Sequence, residues 1–198
     1  LTEQDVRICF VGDSFVQGTC DPECLGWPGR VCRAAMKNGF DVTCYNLGVR
    51  RDTSADILRR WQAECVPRLP QGCEGHVMFS FGNNDTTLEG GVTRVPELES
   101  IRNAECILRD AKRLYRAAMV GPPPILDPEQ NERTRRLSVA FEGIARTLGV
   151  PYLSVFDQLV GDPVWTAELT RNDGSHPGRG GYDRLAKLVL GWEGWWFH

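Results

Sequence analysis

The stretch Arg7-Ile8-Cys9-Phe10-Val11-Gly12-Asp13-Ser14-Phe15 decides the reading of this chain. Arg7 to Val11 is mostly apolar and rich in β-formers, which predicts a buried strand. Gly12-Asp13-Ser14 predicts a tight turn at its end, lifting a serine hydroxyl to the rim of a sheet. Far along the chain, Asp173-Gly174-Ser175-His176-Pro177 supplies a carboxylate and an imidazole within one turn of each other. A serine, a histidine and an aspartate are the parts of an acyl-transfer site.

Working outward, apolar runs alternate with helical patterns. Strands are predicted over Arg7–Val11, Asp41–Leu47, His76–Phe81, Ala117–Val120 and Pro151–Phe156. Helices are predicted over Leu25–Lys37, from a Thr53 cap to Cys65, over Leu98–Arg116, from Asp127-Pro128 to Leu148, and over Arg179–Leu190. Such alternation implies an α/β fold, a parallel sheet covered on both faces. Ligands bind such sheets outside the carboxyl ends of the strands, where strand order reverses. Ser14 follows strand one and Asn84 follows strand three, so both meet at that crevice in a sheet of order 2-1-3-4-5. No repeat, low-complexity stretch or linker divides the chain, and one domain over residues 1–198 is expected.

The bulk numbers exclude several classes. At 198 residues and 41% hydrophobic content the chain can bury a sizeable core. The net charge of −3 and the lack of a long basic stretch argue against nucleic acid. No apolar run approaches the ~20 residues of a membrane helix. The first ten residues carry scattered charges rather than a signal-peptide pattern, and a cytoplasmic protein is expected. The chain begins at Leu1, which leaves room for a removed leader. Among eight cysteines, Cys9, Cys44 and Cys106 sit in apolar or helical patterns and read as reduced thiols. Cys20-Asp21-Pro22-Glu23-Cys24 lies in a polar loop, where a local disulfide fits. No second pair at ligand spacing accompanies it, so no metal is expected there. Phosphate-binding and dinucleotide glycine loops are missing, as is a paired-histidine metal helix.

Four separated segments together resemble the GDSL family, also called SGNH hydrolases. They are Gly12-Asp13-Ser14-Phe15, Asn46-Leu47-Gly48-Val49-Arg50-Arg51-Asp52-Thr53, Gly82-Asn83-Asn84-Asp85, and Asp173-Gly174-Ser175-His176-Pro177. Each alone is weak; all four in order, at strand ends or before the last helix, form a strong signal. The resemblance spans Ile8 to about Leu190. It implies a flavodoxin-like three-layer α/β/α sandwich with a five-stranded parallel sheet. It also implies a serine hydrolase that cleaves carboxylic esters of small or lipid-like substrates without metal or organic cofactor. Ser14 matches the nucleophile, His176 the general base, Asp173 the residue that orients it, and Asn84 a side-chain donor to the oxyanion. The Ser14 amide is a second donor. A thioesterase or a carbohydrate O-deacetylase would use the same parts, and a non-catalytic binding module on this scaffold is the alternative from another class.

One departure stands out. The second family segment usually ends in a glycine whose amide helps hold the oxyanion, and Arg51 replaces it here. Its backbone still donates if the turn tolerates a side chain. Its guanidinium either enters the rim, adding charge near the oxyanion or binding an acidic substrate group, or turns to a surface carboxylate such as Asp52 or Asp56. Gly48 reads as a point of close backbone approach, and with Asn84 and Arg51 it is a candidate oxyanion or substrate-binding residue. Asp13, Asp85 and Asn46 read as structural, bonding amides around the site. His76 begins a strand and reads as structural, and His198 is terminal, which leaves His176 as the candidate base. The Arg133–Arg136 run reads as the solvated side of a helix, and the Val92–Pro96 segment as a wall of the pocket. The aromatic run Gly191-Trp192-Glu193-Gly194-Trp195-Trp196-Phe197-His198 reads as packing across the domain surface. It also fits a contact between two copies of the chain, or a lid over an acyl group.

Overall fold

The computed structural model describes residues 5–198. In chain order the elements are β1 (Val6–Gly12), α1 (Ser14–Gln17), α2 (Gly26–Lys37), β2 (Val42–Gly48), α3 (Ser54–Cys65) and β3 (Glu74–Ser80). A small hairpin of β4 (Leu88–Glu89) and β5 (Val92–Thr93) follows, then α4 (Glu97–Leu114), β6 (Arg116–Val120) and α5 (Pro128–Leu148). The chain finishes with β7 (Tyr152–Leu153), α6 (Phe156–Leu159), α7 (Pro163–Arg171) and α8 (Arg179–Leu190). The main sheet is parallel, with order β2-β1-β3-β6-β7. Counting only its own strands, that is the expected 2-1-3-4-5 order of a flavodoxin-like sandwich.

Strand β1 is an interior strand, between β2 and β3, and is buried on both faces. Ile8 and Phe10 point into one core with Trp27, Val31, Tyr182, Leu185 and Val189. Cys9 and Val11 point into the other with Trp61, Phe79, Ile107 and Phe141. This explains why β1 reads as a continuous apolar run rather than an alternation. Phe10 meets Trp27 edge-on at a ring separation of 5.3 Å, and burying such a ring stabilises by roughly 1.5–3 kcal/mol. Helices α3 and α5 start where the sequence marks them. Thr53 and Asp56 form a capping box, and Asp127 caps the turn that holds Pro128.

Differences from expectation have local causes. The last strand is Tyr152–Leu153 only, because at a sheet edge its apolar continuation turns into α6 and enters the core through Val155 and Phe156. The elements α1, α6, α7 and the β4–β5 hairpin are short, so periodicity does not reveal them. Cys20 and Cys24 are both free thiols, and no disulfide joins them. Arg133 is not purely solvated, since its Nε donates to the Thr86 carbonyl at 3.0 Å. The aromatic tail belongs to the protein's own core. Trp195 and Phe197 are buried, and Phe197 packs on Phe40 at 5.6 Å and on His76 at 5.0 Å. His76 lies near the amino end of β3, the opposite end of the sheet from Ser14, so the tail is no lid.

Two glycines set how closely layers approach. A Cβ on Gly12 would lie 2.0 Å from the Ser80 carbonyl oxygen, and one on Gly48 2.1 Å from the Gln17 amide nitrogen. Gly48 thus lets the end of β2 touch α1, the element that carries Ser14. Gly48→Ala is expected to destabilise by about 2 kcal/mol or more, measured as a lower urea midpoint; an unchanged midpoint would show that α1 can shift freely.

Candidate active site

Ser14 is the first residue of α1, directly beyond the carboxyl end of β1. Asp13 caps this helix, its Oδ1 accepting from the Phe15 amide at 3.0 Å. As a first-turn residue, Ser14 has a backbone N–H without an intrahelical acceptor. Its side chain meets His176, with Oγ 2.7 Å from Nε2. His176 Nδ1 lies 2.7 Å from Asp173 Oδ2. Asp173 is acceptor-only when ionised, so Nδ1 carries the ring proton and Nε2 accepts from the Ser14 hydroxyl. Asp173 Oδ1 also accepts from the Ser175 and His176 amides at 3.0 and 2.8 Å. Burial opposes its charge, but the bonds from His176 and the two amides hold the Asp173 carboxyl below its ordinary range.

Several contacts hold the imidazole and its backbone in place. Phe15 lies against it at 5.1 Å and stacks in turn on Trp165 at 6.3 Å. The His176 carbonyl accepts from Asn172 Nδ2 at 3.1 Å. Helix α8 follows at once and has no side-chain cap of its own. Glu168 of α7 supplies one, accepting from the amides of Gly178, Gly180 and Gly181 at 2.9, 3.0 and 2.7 Å. The loop after β6 joins in, with the Leu126 amide donating to the Gly174 carbonyl at 2.9 Å and Trp165 Nε1 donating to the Pro124 carbonyl at 3.0 Å.

Asn84 lies in the loop after β3, which neighbours β1 in the sheet. Its Nδ2 donates one proton to the Asp52 carbonyl at 2.9 Å, and the second proton has no acceptor among the described residues. The residues on either side pin it. Asn83 is buried, with Nδ2 donating to the Pro123 carbonyl and its own carbonyl accepting from Gln130. Asp85 is fully buried and accepts from the Ser54 amide at 2.7 Å, at the start of α3. Asn46 bridges β2 to α1, donating to the Val16 carbonyl at 2.7 Å and accepting from the Gly48 amide at 3.0 Å. The Gly48 amide is therefore already bonded, and the residue serves close packing.

Arg51 has a φ of 70°, the left-handed conformation natural to glycine. Its guanidinium turns to Glu89 of the β4–β5 hairpin, Nη2 to Oε1 2.9 Å, and is largely exposed; it pairs with neither Asp52 nor Asp56. Arg94 Nη1 donates to the Arg51 carbonyl at 2.8 Å. The side chain that stands where the family has glycine is thus tied to a hairpin, while the backbone keeps glycine's geometry. Asp52 instead pairs with Arg60 at 2.6 Å, and Arg60 Nη2 reaches the Gly12 carbonyl at 2.9 Å. Arg60 and Glu168 were not singled out from the sequence. Both sit on helix faces where a charged residue looks solvated, and only the tertiary fold shows their partners.

The GDSL-like lipase/acylhydrolase family model matches residues 10–184. No curated protein matches the sequence. Among solved structures, a lipase/acylhydrolase from Enterococcus faecalis superposes with a TM-score of 0.78 at 22% identity, covering 93% of each chain. Axe2, an acetylxylan esterase from Geobacillus stearothermophilus, gives 0.78 at 16% identity over 96% of each chain. LAE5, an alpha/beta hydrolase enzyme from the metagenome of Lake Arreo, Spain, gives 0.77 at 17% identity over 94% of each. At these identities the likeness speaks for the fold.

Two measurements probe the scaffold. Glu168→Ala frees three amides beside His176 and is expected to lower kcat between about tenfold and a hundredfold with little change in KM, whereas an equal loss in a distant α7 surface variant would make the effect merely structural. Burial pushes the Asp13 carboxyl up to about 7, opposed by the Phe15 amide and reinforced by Asp85 and Asp52. A raised carboxyl contributes stability that is full below its unfolded value of about 4 and is lost as pH rises through 7. Asn keeps the cap and cannot ionise, so Asp13→Asn is expected to flatten the wild-type loss between pH 6 and 8 by about 1 kcal/mol. Denaturant unfolding at several pH values checks this; parallel curves for the two proteins would contradict it.

Proposed function

Because this chain belongs to the GDSL-like lipase/acylhydrolase family, we propose that it is a serine hydrolase of carboxylic esters working through an acyl-enzyme. The single observation that carries this reading is the unbroken chain Ser14–His176–Asp173, with both links at 2.7 Å. Ser14 Oγ attacks the ester carbonyl while His176 Nε2 takes its proton. Asp173 holds the tautomer and stabilises the imidazolium that forms. The oxyanion is held by the Ser14 amide, the free Asn84 amide proton and the Arg51 amide, which among the described residues has no hydrogen-bond acceptor. Each such donor is typically worth ~3–4 kcal/mol. His176 then protonates the departing alcohol, and a water activated by the same imidazole releases the acid.

Arg51 bears on whether the site works. A side chain at a glycine position is a reason to suspect a binding module without catalysis. Two features support the catalytic reading instead: the φ of 70° and the engagement of the guanidinium by Glu89. The apolar side chains Val49 and Leu126 are exposed on the loops after β2 and β6, and Leu88 is exposed on the β4–β5 hairpin after β3. They offer an uncharged acyl group an apolar rim, which favours plain carboxylic esters.

Ser14→Ala is expected to reduce hydrolysis of an aryl acetate to the uncatalysed rate, with circular dichroism unchanged; retained turnover would remove the covalent mechanism. A panel of acetyl, longer acyl and thioester substrates reads the acyl class. Arg51→Gly is expected to keep acylation within about threefold, since the amide rather than the guanidinium is the donor; a loss above about tenfold would give the side chain a direct part.

A further inference from the structure

Cys20 has no part in the reaction proposed above, yet its thiol stands beside it. Its Sγ, a carboxylate oxygen of Asp173 and a ring nitrogen of His176 all lie within 4.8 Å of one another. Cys20 is exposed and carries a free thiol, so solvent solutes reach it. The loop that bears it is anchored to α8, the helix that follows His176. The Tyr182 hydroxyl donates to the Thr19 carbonyl at 2.8 Å. Arg30, nearly fully buried, joins the buried Asp21 to Asp183 of α8. The thiol therefore keeps its place relative to the imidazole.

Thiol, imidazole and carboxylate are the donor set that zinc and cadmium prefer over harder cations. A tetrahedral ion with bonds of roughly 2.0–2.3 Å holds its donors roughly 3.3–3.7 Å apart. Reaching that from the present positions takes a contraction of about an ångström at Cys20 and a slight widening of the Asp173–His176 contact. A water completes the fourth position.

We propose that Cys20, Asp173 and His176 form an inhibitory site for a thiophilic divalent cation. Binding forms metal–sulfur, metal–nitrogen and metal–oxygen bonds, and the Cys20 thiol gives its proton to solvent. No electron is transferred; one cation enters and one proton leaves. If the ion takes Nδ1, the ring proton moves to Nε2, which then donates to Ser14 instead of accepting from it. If the ion takes Nε2, the acceptor itself is occupied. Either way Ser14 loses its base. Burial and the Asp173 charge push the Cys20 thiol up while Arg50 acts against them, so the cation displaces a proton the thiol otherwise keeps. The loss of activity rests on His176 being the base of the proposed reaction; occupation of the site does not.

The test titrates zinc against hydrolysis of an aryl acetate, and cadmium against the ultraviolet charge-transfer band of a cadmium–thiolate bond, in wild type, Cys20→Ala and Cys24→Ala. Wild type and Cys24→Ala are expected to lose activity at micromolar zinc and recover it with a chelator. Cys20→Ala is expected to match wild type without zinc, to need at least about tenfold more zinc for inhibition, and to lose the cadmium band. Equal zinc sensitivity in Cys20→Ala, insensitivity of wild type, or a cadmium band that survives the substitution would overturn the proposal. If no variant hydrolyses ester at all, the proposed function fails, and the cadmium band alone decides whether the site exists.

Discussion

Everything about this protein turns on one hydrogen bond, between Ser14 Oγ and His176 Nε2, that joins residues 162 positions apart. A contact of such range costs chain entropy and holds only where rigid elements deliver both partners. The parallel sheet does this. Its interior strand β1 ends at Gly12, two residues before Ser14, and the crossovers bring the last helix back beside it. Gly12 and Gly48 permit the backbone approaches that set α1 in place. Glu168, Trp165 and Phe15 then position the imidazole by contacts away from the Ser14–His176 bond.

The same region concentrates buried polarity. Asp13, Asp85, Asn83, Ser54, Thr86 and Thr134 are all buried near the carboxyl ends of β1 and β3. Burying such groups is unfavourable unless hydrogen bonds offset it. Here they do so in part: Asp13 caps α1, Asp85 accepts from α3, and Asn83 binds the loop after β6, while Asn83 Oδ1 and Asp85 Oδ2 are buried without a partner among the described residues. Three loops from different crossovers become one rigid rim around Asn84. The cost is visible in Asp13, whose carboxyl is pushed up to about 7. The protein therefore gives up stability toward alkaline pH where Asp13 caps the helix that carries Ser14.

Much of this was legible in the sequence. The continuous apolar run of β1, the caps at Thr53 and Asp127 and the β/α alternation are local signals, and the elements they mark formed where expected. The residues Ser14, Asn84, Asp173 and His176 fell on strand ends or in the loop before the last helix. Less legible were features defined only by tertiary neighbours. Glu168 and Arg60 read as ordinary surface charges until α7 and α3 are placed. Cys20 read as half of a local pair with Cys24, because its nearness to His176 arises from folding alone. Pro151–Phe156 read as one strand because apolar content does not show where a sheet edge ends. The tail Trp192–Phe197 carried no periodicity, and its packing against Phe40 and His76 is set by tertiary neighbours alone.

The most direct measurement is covalent labelling by a serine-reactive fluorophosphonate, followed by mass-spectrometric mapping of the modified peptide. Stoichiometric label on Ser14 in the native protein, abolished by unfolding and slowed at least about a hundredfold in His176→Ala, is the expected result. Label at another residue, no label, or labelling of Ser14 at the same rate without His176 would contradict the claim that the imidazole activates this hydroxyl.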